Sequence, residues 1–334
     1  MTTAGMSARL QPMAGSSVSL YMTYKHPVFA VTTLALAVLT TCNSNLSQAS
    51  PPEPDATTAT PAGTPAATPT VSPPEAGSPR PDVLLPIPDR GHAPGHPDEG
   101  WCAESTIQQA LLYFGAFVPQ RDINRAGRPS HPDLYWSDIP VALKELGVSY
   151  ARFDNESRGD NKDDFLAWIE KQLDQDRPVI AGVKIHPTEH PEWNLDHMVL
   201  IVGHERGQAL YINTTWGYRK RFTHTALFTS QKGIAFHNGR GRYFAYAVVG
   251  PRALQADMKP GRIVVDDEDD KEMRAQVVLG DLQVGRTYQL MRYRSTRKRP
   301  IATEVFTAQS AELRLPQSVN KRHAAVFRYR PATE

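Results

Sequence analysis

One thiol sits where it could do chemistry. The chain holds two cysteines, and the second opens the stretch "CAESTIQQALLYFG", residues 102–115. Ile107, Ala110, Leu111 and Phe114 recur behind it at helical spacing, and Gly115 is a stop signal. The spacing predicts a helix with Cys102 in or just before its first turn. Unpaired N–H groups and the dipole at a helix start favour an anion. A thiol there is expected to ionise below its ordinary range and to act as a nucleophile. The same N–H groups can donate to an oxyanion forming beside the sulfur. A lone helical cysteine is more often a small inert apolar residue, so the question turns on partners.

Two β-rich runs supply them. "HMVLIVGHE" begins at His197, and "QALYINTTWG" carries Asn213 at the end of its apolar part, with turn residues between the two. In an antiparallel hairpin the start of one strand lies beside the end of its neighbour. His197 and Asn213 are therefore expected to meet at one sheet edge. A cysteine nucleophile needs a base to take its proton, and the base needs a polar group to fix its ring. Cys102, His197 and Asn213 supply these three roles in chain order.

The elements that would position them read as an α+β domain. Residues 137–147 form a helix pattern with Ser137 as N-cap, Pro140 in the first turn and Gly147 as stop. Phe165, Trp168, Ile169 and Leu173 share a face of a further helix, and "RPVIAGVKI" reads as a buried strand. Helices first and an antiparallel sheet after them define that class. From Pro251 onward short β-rich runs such as "AQVVLG", "RTYQLMRYR" and "AAVFRYR" alternate with turn residues, the pattern of a small all-β sandwich. The expected division is 1–42 signal, 43–89 tether, 90–250 hydrolase domain and 251–334 β-sandwich module.

The N-terminal segment points to export. The apolar run of residues 27–42, "PVFAVTTLALAVLTTC", is shorter than the roughly 20 residues that span a bilayer. Lys25 precedes it, and "LTTC" resembles a bacterial lipobox, which implies lipidation of Cys42 and a lipid anchor in the cell envelope. Met22 is an alternative start. Ten prolines lie between Pro51 and Pro81, and no Phe, Trp or Tyr occurs between Phe29 and Trp101. Such a stretch cannot bury a core and reads as a disordered tether to a membrane. With Cys42 acylated or removed, Cys102 is the sole thiol of the folded part. The formal net charge of +2 gives no argument for a nucleic-acid partner.

Taken together, the Cys102, His197 and Asn213 elements resemble the papain-like cysteine peptidases, in the bacterial branch similar to bacteriocin-leader-processing peptidases. "NTTWG" is similar to the Asn-Ser-Trp-Gly of that superfamily, with one extra residue before Trp216. The resemblance implies that Trp216 shields the His–Asn contact from water. It also implies hydrolysis of an amide or peptide bond through a thioester, on a peptide or protein substrate. The side-chain oxyanion donor of that superfamily is a Gln about six residues before the Cys, and here that place is His96. Acyl transfer of the transglutaminase kind uses the same triad, and the missing Gln would suit an inactive peptide- or glycan-binding homologue. The module after residue 250 resembles fibronectin-type-III-like segments in "LQVGRTYQLMRYR". No cofactor is expected. His186, His190, Asp196 and His197 could suggest a metal, but Pro187 and Pro191 exclude a helical pair of ligands and favour a loop bordering the cleft. The acidic run 266–272 lacks the glycine and spacing of a calcium loop. Glu104, an acid in a first helical turn, is unremarkable there.

Overall fold

The stretch behind Cys102 forms helix α1 (Cys102–Tyr113), and its composition already says where it lies. Glu104 is its one charged residue, and Cys102 to Leu112 are all buried, so the helix has no solvent face. A computed structural model describes residues 80–91, 100–153, 162–187, 196–229, 232–236, 243–251, 257–294 and 299–332. Cys42, His96 and His190 lie outside the described residues, as do residues 1–79, where the signal and most of the tether were expected. All described residues belong to one compact unit. No helix among them is long and apolar enough to cross a membrane.

A strap precedes α1 and contains β1 (Val83–Leu84). After α1 come β2 (Ala116–Phe117), α2 (Gln120–Gly127), α3 (Ile139–Glu145), β3 (Val148–Arg152) and α4 (Lys162–Leu173). The main sheet is built from β4 (Val179–His186), β5 (His197–Glu205), β6 (Ala209–Asn213) and β7 (Arg219–Thr223). Helix α5 (His224–Thr229), β8 (Gly233–Ala235) and β9 (Ala245–Pro251) complete it. The strands run in the order β3-β9-β4-β5-β6-β7, with β1 on β5 and β8 on β4, and every pairing is antiparallel. The molecule is thus mixed α+β with mostly antiparallel sheets. Strand β5 is buried along its whole length, flanked by β4 and β6 and packed against α1 and α4. That double cover is why its sequence is an unbroken apolar run between two histidines.

The strap corrects the expected end of the tether at residue 89. Val83 and Leu84 pair with His204 and Gly203, and Leu85 and Ile87 are buried. Gly203 permits this approach, since a Cβ there would meet the Val83 carbonyl oxygen. The helix expected over 137–147 is α3, with Asp138 rather than Ser137 at its N-cap. The Asp138 carboxylate accepts from the Tyr135 N–H, which closes the preceding turn.

The C-terminal strands are β10 (Lys259–Pro260), β11 (Arg262–Glu268), β12 (Glu272–Leu279), β13 (Thr287–Tyr293), β14 (Ala302–Thr307), β15 (Leu313–Asn320) and β16 (Ala325–Pro331). They form a three-stranded sheet, β11-β12-β15, and a second sheet, β10-β16-β13-β14. Met273, Val277 and Val319 from the first share a core with Leu290, Phe327 and Tyr329 from the second. Packing and hydrogen bonds cross residue 250. Leu112 of α1 and Phe117 of β2 lie in this C-terminal core, and β2 pairs with β16. Gly115 at φ +69° ends α1, and its carbonyl accepts from the Phe327 N–H at 2.8 Å.

Candidate functional site

Cys102 is the first residue of α1, and its side chain is 7% exposed. The helix packs against β5 so that the Met198 N–H donates to Cys102 Sγ at 3.3 Å. The thiol therefore rests one residue from His197. Burial, the largest influence, pushes the thiol up to about 12, reinforced by the negative charges of Glu104 and Asp133 and opposed by the Met198 and Ala103 N–H groups. This overturns the expectation of a thiol ionised below its ordinary range. A helix start lowers a thiol pKa when water or a cation can also reach the sulfur, and here the sulfur is enclosed. The Cys102 N–H, expected to serve the oxyanion, donates to the Gly100 carbonyl at 2.5 Å.

His197 opens β5, as its sequence predicts, and is 6% exposed. Its Nε2 lies 2.8 Å from the Thr214 carbonyl oxygen. A carbonyl only accepts, so Nε2 carries the proton, and in the neutral ring Nδ1 is left as the proton acceptor. Thr215 Oγ1 is 3.3 Å from the same nitrogen. Trp216 lies flat on the imidazole, with ring centroids 4.6 Å apart and planes at 14°, while itself 42% exposed. It covers one face of the histidine from water.

Asn213 closes β6, but its side chain does not meet His197. Its Nδ2 donates to the Ile87 carbonyl and to Gln109 Oε1, each at 2.9 Å, and its Oδ1 accepts from Arg219 Nε at 2.8 Å. The reason is register. Asn213 stands opposite Leu200, three residues along β5 from His197. Directly opposed residues share a face of a sheet, and positions an odd number apart on a strand do not. Asn213 and His197 thus face opposite sides. The orienting contact comes from the turn after β6, where the chain doubles back and brings the Thr214 carbonyl to the ring.

That turn is held from below by the strap. Asp89 Oδ2 accepts from the Thr214 N–H at 3.1 Å and from Thr214 Oγ1 at 3.2 Å, and Asp89 Oδ1 accepts from the Thr215 N–H at 3.1 Å. Gln109 Nε2 of α1 and the Arg90 N–H also donate to Oδ1. Burial raises the Asp89 carboxyl above its ordinary value against the pull of these donors. Thr215 has φ +66°, an uncommon conformation for a β-branched residue, and it occurs at the residue this carboxylate grips.

Glu104 also proves to be part of the surroundings of the thiol. It is fully buried, and its Oε1 accepts from Asn124 Nδ2 at 2.8 Å and from the Leu134 N–H at 2.9 Å. Its Oε2 is buried without a partner among the described residues. Burial raises this carboxyl to about 7, with the nearby Asp133 acting in the same direction. Asp89, Thr214 and Glu104 were not visible as site residues from sequence. Asp89 lies in a proline-rich stretch, and Thr214 acts through its backbone. Glu104 had one signal, its isolation as the sole charge between Cys102 and Tyr113.

Of the residues that suggested a metal, Asp196 pairs with Lys184 at 2.8 Å and accepts from the Ile185 N–H. Comparison with protein-family models gives no match, and no curated protein matches the chain.

Proposed function

We propose that the chain is a papain-like cysteine hydrolase that cleaves an amide bond in a peptide or protein, with Cys102 as nucleophile and His197 as base. The observation that carries this reading is the seat of the thiol. A cysteine at the head of a buried helix lies against the start of a strand that opens with a histidine. That histidine has Nε2 fixed on a backbone carbonyl and one ring face covered by tryptophan. A thiol and a general base need to lie close together with the ring fixed, and these contacts support that reading, with Thr214 taking the orienting role expected of Asn213.

In this mechanism the base and the nucleophile start neutral. Sγ bonds to the amide carbonyl carbon as its proton passes to His197 Nδ1. The carbon–nitrogen bond then breaks, and the amine leaves with that proton, giving a thioester. Water attacks the thioester carbon while His197 takes its proton, the carbon–sulfur bond breaks, and the proton returns to the sulfur. Substrate binding that brings polar groups to the sulfur would lower the cost of charge there. His96 remains the side-chain candidate for the oxyanion, because the Cys102 N–H is engaged with Gly100. The same reading takes the chain as exported and anchored at the envelope through Cys42.

The enclosed thiol and that engaged N–H favour one other reading, a catalytically silent peptide- or glycan-binding module. A peptide-library screen separates the two. Cleavage by the wild type that disappears in Cys102→Ala and in His197→Ala supports the hydrolase. Binding without turnover, unchanged by Cys102→Ala, supports the silent module.

A further inference from the structure

One contact of His197 runs through a peptide group that Asp89 also holds. The Thr214 carbonyl and the Thr215 N–H belong to the same planar unit, and in a trans peptide they point in opposite directions. His197 Nε2 donates to the oxygen of that unit at 2.8 Å. Asp89 Oδ1 accepts from its nitrogen at 3.1 Å. A second Asp89 oxygen holds the preceding N–H and the Thr214 hydroxyl, so the residue before the unit is pinned, and turning the unit about its flanking bonds would break both the Thr215 N–H and the Thr214 carbonyl contacts.

We propose that Asp89 is a positioning residue that orients and polarises His197 through the Thr214–Thr215 peptide group. This rests on the reading of His197 as the base. A carboxylate drawing on the N–H end of a peptide makes its carbonyl oxygen a stronger acceptor, because hydrogen bonds in a chain polarise one another. The stronger acceptor holds the proton on Nε2 and leaves Nδ1 unprotonated, the form that can accept the thiol proton. It also favours the imidazolium formed after that transfer, since a negative group at the far end of the chain stabilises positive charge on the ring. A side chain reaching directly from Asn213 is excluded by strand parity, and the carboxylate acts through the backbone instead. Arg219, close enough to Asp89 for their charges to attract, donates to Asn213 and to the Ile87 carbonyl. Gln109 links Asp89 to Asn213, through Nε2 and Oε1 respectively. The strap, α1 and the turn after β6 thus meet at Asp89.

The test uses the full chain labelled with 15N and 13C, with iodoacetamide as the probe of Cys102. In the wild type the ring shifts of His197 should report the Nε2–H tautomer. Asp89→Asn keeps the size but loses the charge and one acceptor. It should let the Nδ1–H form appear and slow alkylation at pH 7 roughly tenfold, a part of the 10²–10⁴ that a positioned base supplies. A folded Asp89→Asn protein with the wild-type tautomer and rate would overturn the proposal. If that variant does not fold, the wild type decides. Hydrogen-bond couplings from the Thr215 N–H to the Asp89 carboxylate carbon, and from His197 Nε2–H to the Thr214 carbonyl carbon, are both required, and absence of either overturns it. If the tautomer responds to Asp89→Asn while no peptide is cleaved, the positioning role stands and the hydrolase reading falls.

Discussion

Replacing Glu104 with glutamine should flatten part of the pH dependence of stability. In the folded chain this fully buried carboxyl titrates at about 7, against an ordinary value of 4.5. Between those values the folded state holds a proton that the unfolded state has released, so stability falls as pH rises through the window. At about 1.4 kcal/mol per unit, the full effect is roughly 3 kcal/mol, complete above pH 7 and absent below 4.5. Glu104→Gln has no such proton. Its carbonyl keeps the place that accepts from Asn124 and Leu134. Its amide replaces Oε2, which has no partner among the described residues, at a cost of about 1–3 kcal/mol that does not vary with pH. Urea unfolding of both proteins at intervals from pH 4 to 8.5 isolates the term, because every other titrating group is common to the two. The difference curve should move by roughly 3 kcal/mol in favour of the variant as pH rises. Parallel curves across that range would refute the burial of an ionisable Glu104 beside the thiol.

Three further outcomes are expected. Because burial pushes the Cys102 thiol up to about 12, its alkylation rate should keep climbing from pH 7 past pH 9; a plateau in mild acid would mean a preformed thiolate–imidazolium pair instead. Truncation after residue 250 should leave Leu112 and Phe117 without their C-terminal core, each worth about 1.5–3 kcal/mol of burial, so the fragment should lose cooperative unfolding; a fragment that melts as sharply as the whole chain would contradict this. In a Gram-negative host the wild type should partition into detergent and Cys42→Ala should not, and equal partitioning of the two would remove the lipid anchor.

What could be read from the residues was what has a period. The helix behind Cys102 and the hairpin from His197 to Asn213 announced themselves through spacing, and so did the C-terminal strands. Parity across the hairpin did not, because it depends on the register that sets Leu200 opposite Asn213, and two candidate registers differing by one residue look alike in composition. The strap was hidden by Pro86 and Pro88, which made a stretch with alternating Leu85 and Ile87 read as an extension of the tether. Two-residue strands such as β2 carry no pattern at all, which is why its pairing with β16 could not be foreseen. Main-chain groups are equally silent in a sequence, and the group that orients His197 is one of them.

Helix α1 has a consequence for how such a chain can change over generations. Its first residue carries the thiol, its eleventh lies in the C-terminal core, and Gly115, which ends it, abuts Gly261, whose carbonyl oxygen any Cβ on Gly115 would meet. Arg90, beside the carboxylate that grips the turn, pairs with Glu268 of β11 at 2.7 Å. A recombination event that exchanged the C-terminal strands for a foreign module would break both contacts at once and shift the helix that holds Cys102. The two halves are therefore expected to be inherited together, and drift in the β-strands near Gly261 should be filtered by its effect on the seat of Cys102 at the other end of the helix.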